Sequence, residues 1–168
     1  MEEFKALKKS IILLYTIFFI GIILIFPIKA LFAFMEDDLS YVGILNNNNY
    51  SSYWIWTIFL IKFMSILIFI IGVSYLIKTL KIEEINDIFN DDKIKLFRKS
   101  GKFFHYSAFV GSLKIWIDVI NGTFSSLKLN NDFLFMLYFL IIIGFFLIIF
   151  SKVLEVAKRL QQENDLTI

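Results

Sequence analysis

Cysteine is absent, which excludes disulfides, thiolate metal sites and thiol redox chemistry. The single histidine, His105, leaves no imidazole set for a metal centre or a proton relay. One proline and seven glycines are too few for a turn-rich β fold and suit long, uninterrupted helices. No Ser/His/Asp arrangement, phosphate-cradling glycine loop or HExxH stretch occurs, so an enzyme is not expected and no cofactor is implied. What the chain has in excess is apolar surface: 58% of its 168 residues, with phenylalanine present 21 times. A soluble domain of this size cannot cover so much apolar surface, whereas lipid sets no such limit.

The apolar residues fall in runs. Ser10 to Phe26, Trp54 to Ile77 and Phe133 to Phe150 are nearly free of charge, and each is about as long as a bilayer core is thick. A fourth run, Phe103 to Ile120, is broken only by Lys114 and Asp118. The expected fold is an all-α integral membrane protein, a single domain over 1–168 with four transmembrane helices at about 10–30, 54–77, 103–122 and 132–151. A cytoplasmic connection then covers 78–102 and a cytoplasmic tail 152–168.

Orientation follows from where the positive charge sits. Lys5, Lys8 and Lys9 precede the first run; the middle connection carries Lys78, Lys81, Lys93, Lys95, Arg98, Lys99 and Lys102; the tail carries Lys152, Lys158 and Arg159. The other two connections have only Lys29, set against Glu36, Asp37 and Asp38, and Lys128. Basic loops stay inside, which puts both termini and the middle connection in the cytoplasm. Four spans satisfy this; three would strand a basic tail outside. The first run ends in Pro27 and Lys29 with no small-x-small cleavage site, and so reads as a retained span rather than a leader. Sequons at Asn49 and Asn121 read as chance in an Asn-rich chain of AT-rich bacterial composition.

Local signals add detail. Pro27 should kink or end the first helix. Tyr50, Tyr53, Trp54 and Trp56 mark an outer interface after the turn-forming run Asn46 to Asn49. The middle connection reads as two short amphipathic helices. The first carries Leu80, Ile82, Ile85, Ile88 and Phe89; the second is capped by Asn90-Asp91-Asp92 and stopped by Gly101. The tail should continue as an amphipathic helix with Val153, Val156, Ala157 and Leu160 on one side, until Glu163-Asn164-Asp165.

Three charges stand where lipid disfavours them. Lys62, Lys114 and Asp118 would each cost about 2.5–3.5 kcal/mol at a span centre. Helix rise puts Lys62 and Lys114 roughly 12–14 Å below the outer boundary and Asp118 about 6 Å below it, so the three can form one polar cluster. Lys114 and Asp118, four apart on one helix, can pair directly. The cluster is either a ligand, ion, proton or signal site, or a structural pair beside a Lys62 that snorkels outward. Phe97, Arg98 and Lys99 lie in the basic segment, which suits the inner leaflet or a partner protein; no nucleic-acid-reading motif accompanies them. His105 reads as an interfacial hydrogen-bonding residue, and Glu36, Asp37 and Asp38 as a solvated loop without calcium-loop spacing.

The string AKRLQQENDLTI, Ala157 to Ile168, with the stretch IFNDDKIKLFRKSGKFF, resembles the bacterial four-helix membrane family known as domain of unknown function 2975. The resemblance implies a Glu-rich last helix ending in Asp-Leu-Thr-Ile. It also implies a genetic neighbourhood with a small Cro/C1-type helix-turn-helix regulator, and hence a membrane partner that restrains or tunes such a regulator. No catalytic residues come with it. On that reading Glu163, Asp165, Leu166 and Ile168 join Phe97, Arg98 and Lys99 as docking residues, with a frayed terminus as the plain alternative. The alternative function is a small transporter, channel or peptide-resistance protein that uses the Lys/Asp cluster and works as a homo-oligomer.

Overall fold

The computed structural model describes residues 2–35, 52–81, 90–120 and 131–166. They form four helices: α1 (Glu2–Met35), α2 (Ser52–Lys81), α3 (Asp91–Ile120) and α4 (Asn131–Asp165). Among the described residues the protein is all-α with four helices, as its composition predicts. Three of them contain a stretch long and apolar enough to cross a membrane: Lys8–Ile25 in α1, Trp56–Thr79 in α2 and Leu134–Asn164 in α4. Their outer faces leave large side chains open, among them Leu14, Ile17, Phe135, Tyr138, Ile142 and Phe146. Water would penalise such continuous apolar patches heavily, while lipid covers them at no cost. The chain is a multi-pass membrane protein.

Two boundaries differ from the sequence expectation. α1 does not end at Pro27 but runs on to Met35. An internal proline forfeits one backbone hydrogen bond, and apolar helices of this type tolerate that. The basic segment is not a separate short helix: α3 starts at Asp91 and passes Gly101 without a break. Its start is the one the sequence marks, since the Asp92 amide donates to Asn90 Oδ1 at 2.8 Å and the Ile94 amide to the Asn90 carbonyl at 3.1 Å. The first expected short helix falls almost wholly on 82–89, outside the described residues.

The chain packs as two compact units, Met1–Phe63 with Leu113–Leu127, and Met64–Ser112 with Lys128–Ile168. In the second unit α3 packs on both α2 and α4, and small residues make this possible. Ser100, Gly101, Ser107, Ala108 and Gly111 are all buried. Against α2, Ser107 Oγ donates to the Ser65 carbonyl and Ser65 Oγ to the Ser107 carbonyl, each at 2.9 Å. Ser100 Oγ donates to the Gly72 carbonyl at 2.8 Å. Interhelical bonds of this kind contribute about 0.6 kcal/mol each in a membrane. Phe69 stacks on Phe104, with ring centroids 5.4 Å apart.

Against α4 the two backbones come close at Gly101 and Gly144. A Cβ on Gly101 would lie 2.7 Å from the Gly144 carbonyl oxygen, and one on Gly144 2.5 Å from His105 Cδ2. His105 uses the space so left: its Nε2 sits 3.2 Å from the Ile141 carbonyl and its ring packs on Phe145. Gly101 therefore acts as a packing residue, not a helix stop. Ascending α3 through Phe97, Gly101 and His105 meets α4 descending through Phe150, Gly144 and Ile141, so the pair is antiparallel.

Candidate functional site

The first candidate lies in the unit formed by Met1–Phe63 and Leu113–Leu127. Lys114 Nζ and Asp118 Oδ2 are 3.3 Å apart, one turn apart on α3, as their spacing predicts. Asp118 is among the most buried side chains in the protein, 2% exposed, and Lys114 is half-buried. A carboxylate so enclosed demands a compensating cation, because desolvating a lone charge costs several kcal/mol. Lys62, on α2, belongs to the same unit and is half-buried.

The second candidate is built from the charged end of α4 and the first turns of α3. α4 has 35 residues, about 52 Å of helix, against a hydrocarbon core of about 30 Å. Its charged last third pairs with the first turns of α3. Arg98 Nη2 donates to Glu155 Oε2 at 2.6 Å, and Arg159 approaches Glu155 Oε1 at 3.5 Å. Lys158 Nζ reaches Asp91 Oδ2 at 2.6 Å. Phe97 meets Phe150 edge-on, with centroids 5.3 Å apart. Leu154 and Ser151 complete the packed side of α4.

The expected apolar stripe of the tail faces the other way. Val153, Val156 and Leu160 are each more than half exposed. With Ile149, Lys152 and Ala157 they form an open, largely apolar face of α4. Of the predicted docking residues, Phe97 and Arg98 are engaged with α4, and Lys99 lies beside Tyr75 of α2. Glu163 is exposed, and Leu166 is 86% exposed just beyond the end of α4. The side chain of Asp165, and Ile168 as a whole, lie outside the described residues, as do Glu36, Asp37 and Asp38. Among the described residues no three of His, Cys, Asp and Glu come together in a way that could hold a metal ion.

Sequence reasoning missed Glu155 and the pairing of Asp91 with Lys158, because nothing local couples residues 57 and 67 positions apart. The tight α3–α4 approach did leave a trace, in the glycines Gly101 and Gly111.

The Asp91–Lys158 link carries a pH signature. The Lys158 ammonium, first as hydrogen-bond donor and then as a nearby charge, holds the Asp91 carboxyl below its ordinary value of 3.8, with Lys95 adding to the effect. A carboxyl whose folded pKa is lowered contributes above its unfolded value, and its contribution fades as pH falls through the folded one. Protection of the first turn of α3 against hydrogen exchange should therefore hold at neutral pH and decline only below 3.8. Asp91→Asn should remove that acid dependence; an unaltered acid profile in the variant would assign it to another group.

Residues 44–168, which include α2, α3 and α4 in full, match the model of a family described as protein of unknown function, DUF2975. No curated protein and no solved structure matches the chain. With most of its length under the family model and three helices apolar enough to span a bilayer, the protein belongs to this family of bacterial membrane proteins.

Proposed function

We propose that this is a non-enzymatic, four-span membrane protein with both termini in the cytoplasm, which holds a small helix-turn-helix regulator at the membrane. The observation that carries this reading is the paired end of α3 and α4. Arg98–Glu155 and Asp91–Lys158 fasten the two helices together, and Val153, Val156 and Leu160 stay open on the opposite side of α4. A helix presenting an apolar stripe from a fixed base is a common way to receive a partner helix. The basic residues cluster at this end, which supports its cytoplasmic placement. As the fourth span, α3 would cross with Lys114 and Asp118 neutralising each other. Its small residues, packed on α2 and α4, lower the demand for hydropathy of its own. The helix-turn-helix partner itself comes from the family resemblance.

Affinity capture from the native host tests this reading. The intact, tagged protein should recover a small DNA-binding protein. Val156→Ser/Leu160→Ser and a deletion from Glu163 onward should each lose it while still inserting in the membrane. Equal recovery from all three forms, or recovery of nothing but the protein itself, would overturn the reading.

A second reading rests on Asp118. A carboxylate buried to 2% exposure in α3 suits an ion or proton pathway as well as a structural lock. In that case the protein is a small transporter, channel or peptide-resistance protein, and four spans would require assembly into a homo-oligomer.

A further inference from the structure

Lys78 and Lys99 come from different helices and bring their ammonium groups to one aromatic ring. Lys78 Nζ lies 5.2 Å from the centroid of Tyr75, and Lys99 Nζ lies 5.8 Å from it. The two cations are therefore no further apart than those distances combined. Both side chains are exposed. Among the described residues no carboxylate pairs with either, although the neighbouring Arg98 is bound to Glu155. Cation–π attraction, about 0.5–1 kcal/mol at an exposed site, holds each ammonium near the ring but does not neutralise its charge.

Depth identifies what would compensate it. The membrane-crossing stretch of α2 ends at Thr79, so Lys78 stands where lipid phosphates lie. Behind Tyr75 the surface is aromatic: Phe103 packs on Tyr75 with centroids 5.3 Å apart, and Tyr106 packs edge-on against Phe103. Tyr106 is more than half exposed. Two ammoniums above an apolar wall match a phosphodiester with an acyl chain beneath it. A zwitterionic headgroup brings its own cation and would leave the lysines unbalanced; a net negative headgroup would not.

We propose that Lys78, Lys99 and Tyr75 form a binding site for the headgroup of one anionic phospholipid. Its phosphate is drawn by both ammoniums and an acyl chain lies along Phe103 and Tyr106. The site works on either leaflet, so it is independent of the orientation and of the regulatory reading proposed above.

The test is lipid selectivity of the full chain in phosphatidylcholine vesicles containing a minor fraction of spin-labelled phosphatidylglycerol. The native protein should hold labelled phosphatidylglycerol several-fold more than labelled phosphatidylcholine. Lys78→Gln/Lys99→Gln should lose most of that preference, and Lys78→Arg/Lys99→Arg should keep it. The charge-matched pair Lys95→Gln/Lys152→Gln, at exposed lysines away from Tyr75, should also keep it. Equal loss in the two glutamine pairs would mean diffuse attraction and overturn the site, as would full preference in Lys78→Gln/Lys99→Gln. Displacement of the labelled lipid by millimolar inorganic phosphate would overturn the lipid assignment in favour of a soluble anion.

Discussion

Gly101→Ala should destabilise the protein by about 1–3 kcal/mol, the range for forcing extra volume into a packed interface. The added Cβ would lie 2.7 Å from the carbonyl oxygen of Gly144 and 2.8 Å from Ile148 Cγ1. Ile148 can turn aside, but the carbonyl belongs to the backbone of α4 and moves only if the helix moves. Separation of α3 from α4 would also withdraw the Ile141 carbonyl from His105 and slacken the Phe97–Phe150 contact. Gly21→Ala is the matched control. Nothing stands within 4 Å of its Cβ, so alanine should be neutral or stabilise α1 by up to about 1 kcal/mol through helix propensity. Unfolding of the detergent-solubilised protein, followed by circular dichroism, gives both numbers. Equal behaviour of the two variants would show that the α3–α4 approach is not close enough to matter.

The larger effect is expected at the buried ion pair. Asp118→Leu removes the carboxylate 3.3 Å from the Lys114 ammonium, and Lys114→Leu removes a cation paired with an almost fully buried carboxylate. Breaking a buried pair from one side costs about 3–5 kcal/mol, because the remaining charge keeps its desolvation penalty. Lys114→Leu/Asp118→Leu removes both charges and should recover most of that loss, or exceed the native stability. The double-mutant cycle thus yields a large coupling term, and its absence would mean the two groups do not depend on each other. The same double variant separates the two functional readings. Normal stability with lost ion or peptide flux would favour a pathway. Normal stability with unchanged function would make the pair a structural lock.

Much of the architecture was readable from single residues. Hydropathy located α1, α2 and α4, Asn90 announced the start of α3, and the four-residue spacing of Lys114 and Asp118 foretold their contact. The misreadings came from residues whose meaning depends on a neighbour distant in sequence. Gly101 looks like a helix stop because glycine after a basic amphipathic turn usually is one; opposite Gly144 it is the point where two backbones meet. Pro27 allows a kink or an end, and the end does not occur, since one missing backbone bond is not enough to stop an apolar helix. The stripe Val153, Val156 and Leu160 was found correctly as an amphipathic face. Only Leu154 and Ser151 on the other side reveal that the chain packs through the opposite surface.

The dependence of α3 on its neighbours has a consequence for biosynthesis. Much of its buried surface is serine, glycine and alanine, residues that gain little from lipid and much from close helical contact. α2 leaves the ribosome before it, but α4, which supplies Gly144, Ile141 and Glu155, is made after it. During synthesis, then, α3 has one finished wall and one missing wall. Its final placement waits for α4, so a chain interrupted before Asn131 would present the quality-control machinery with an unfinished helix rather than a smaller functional protein.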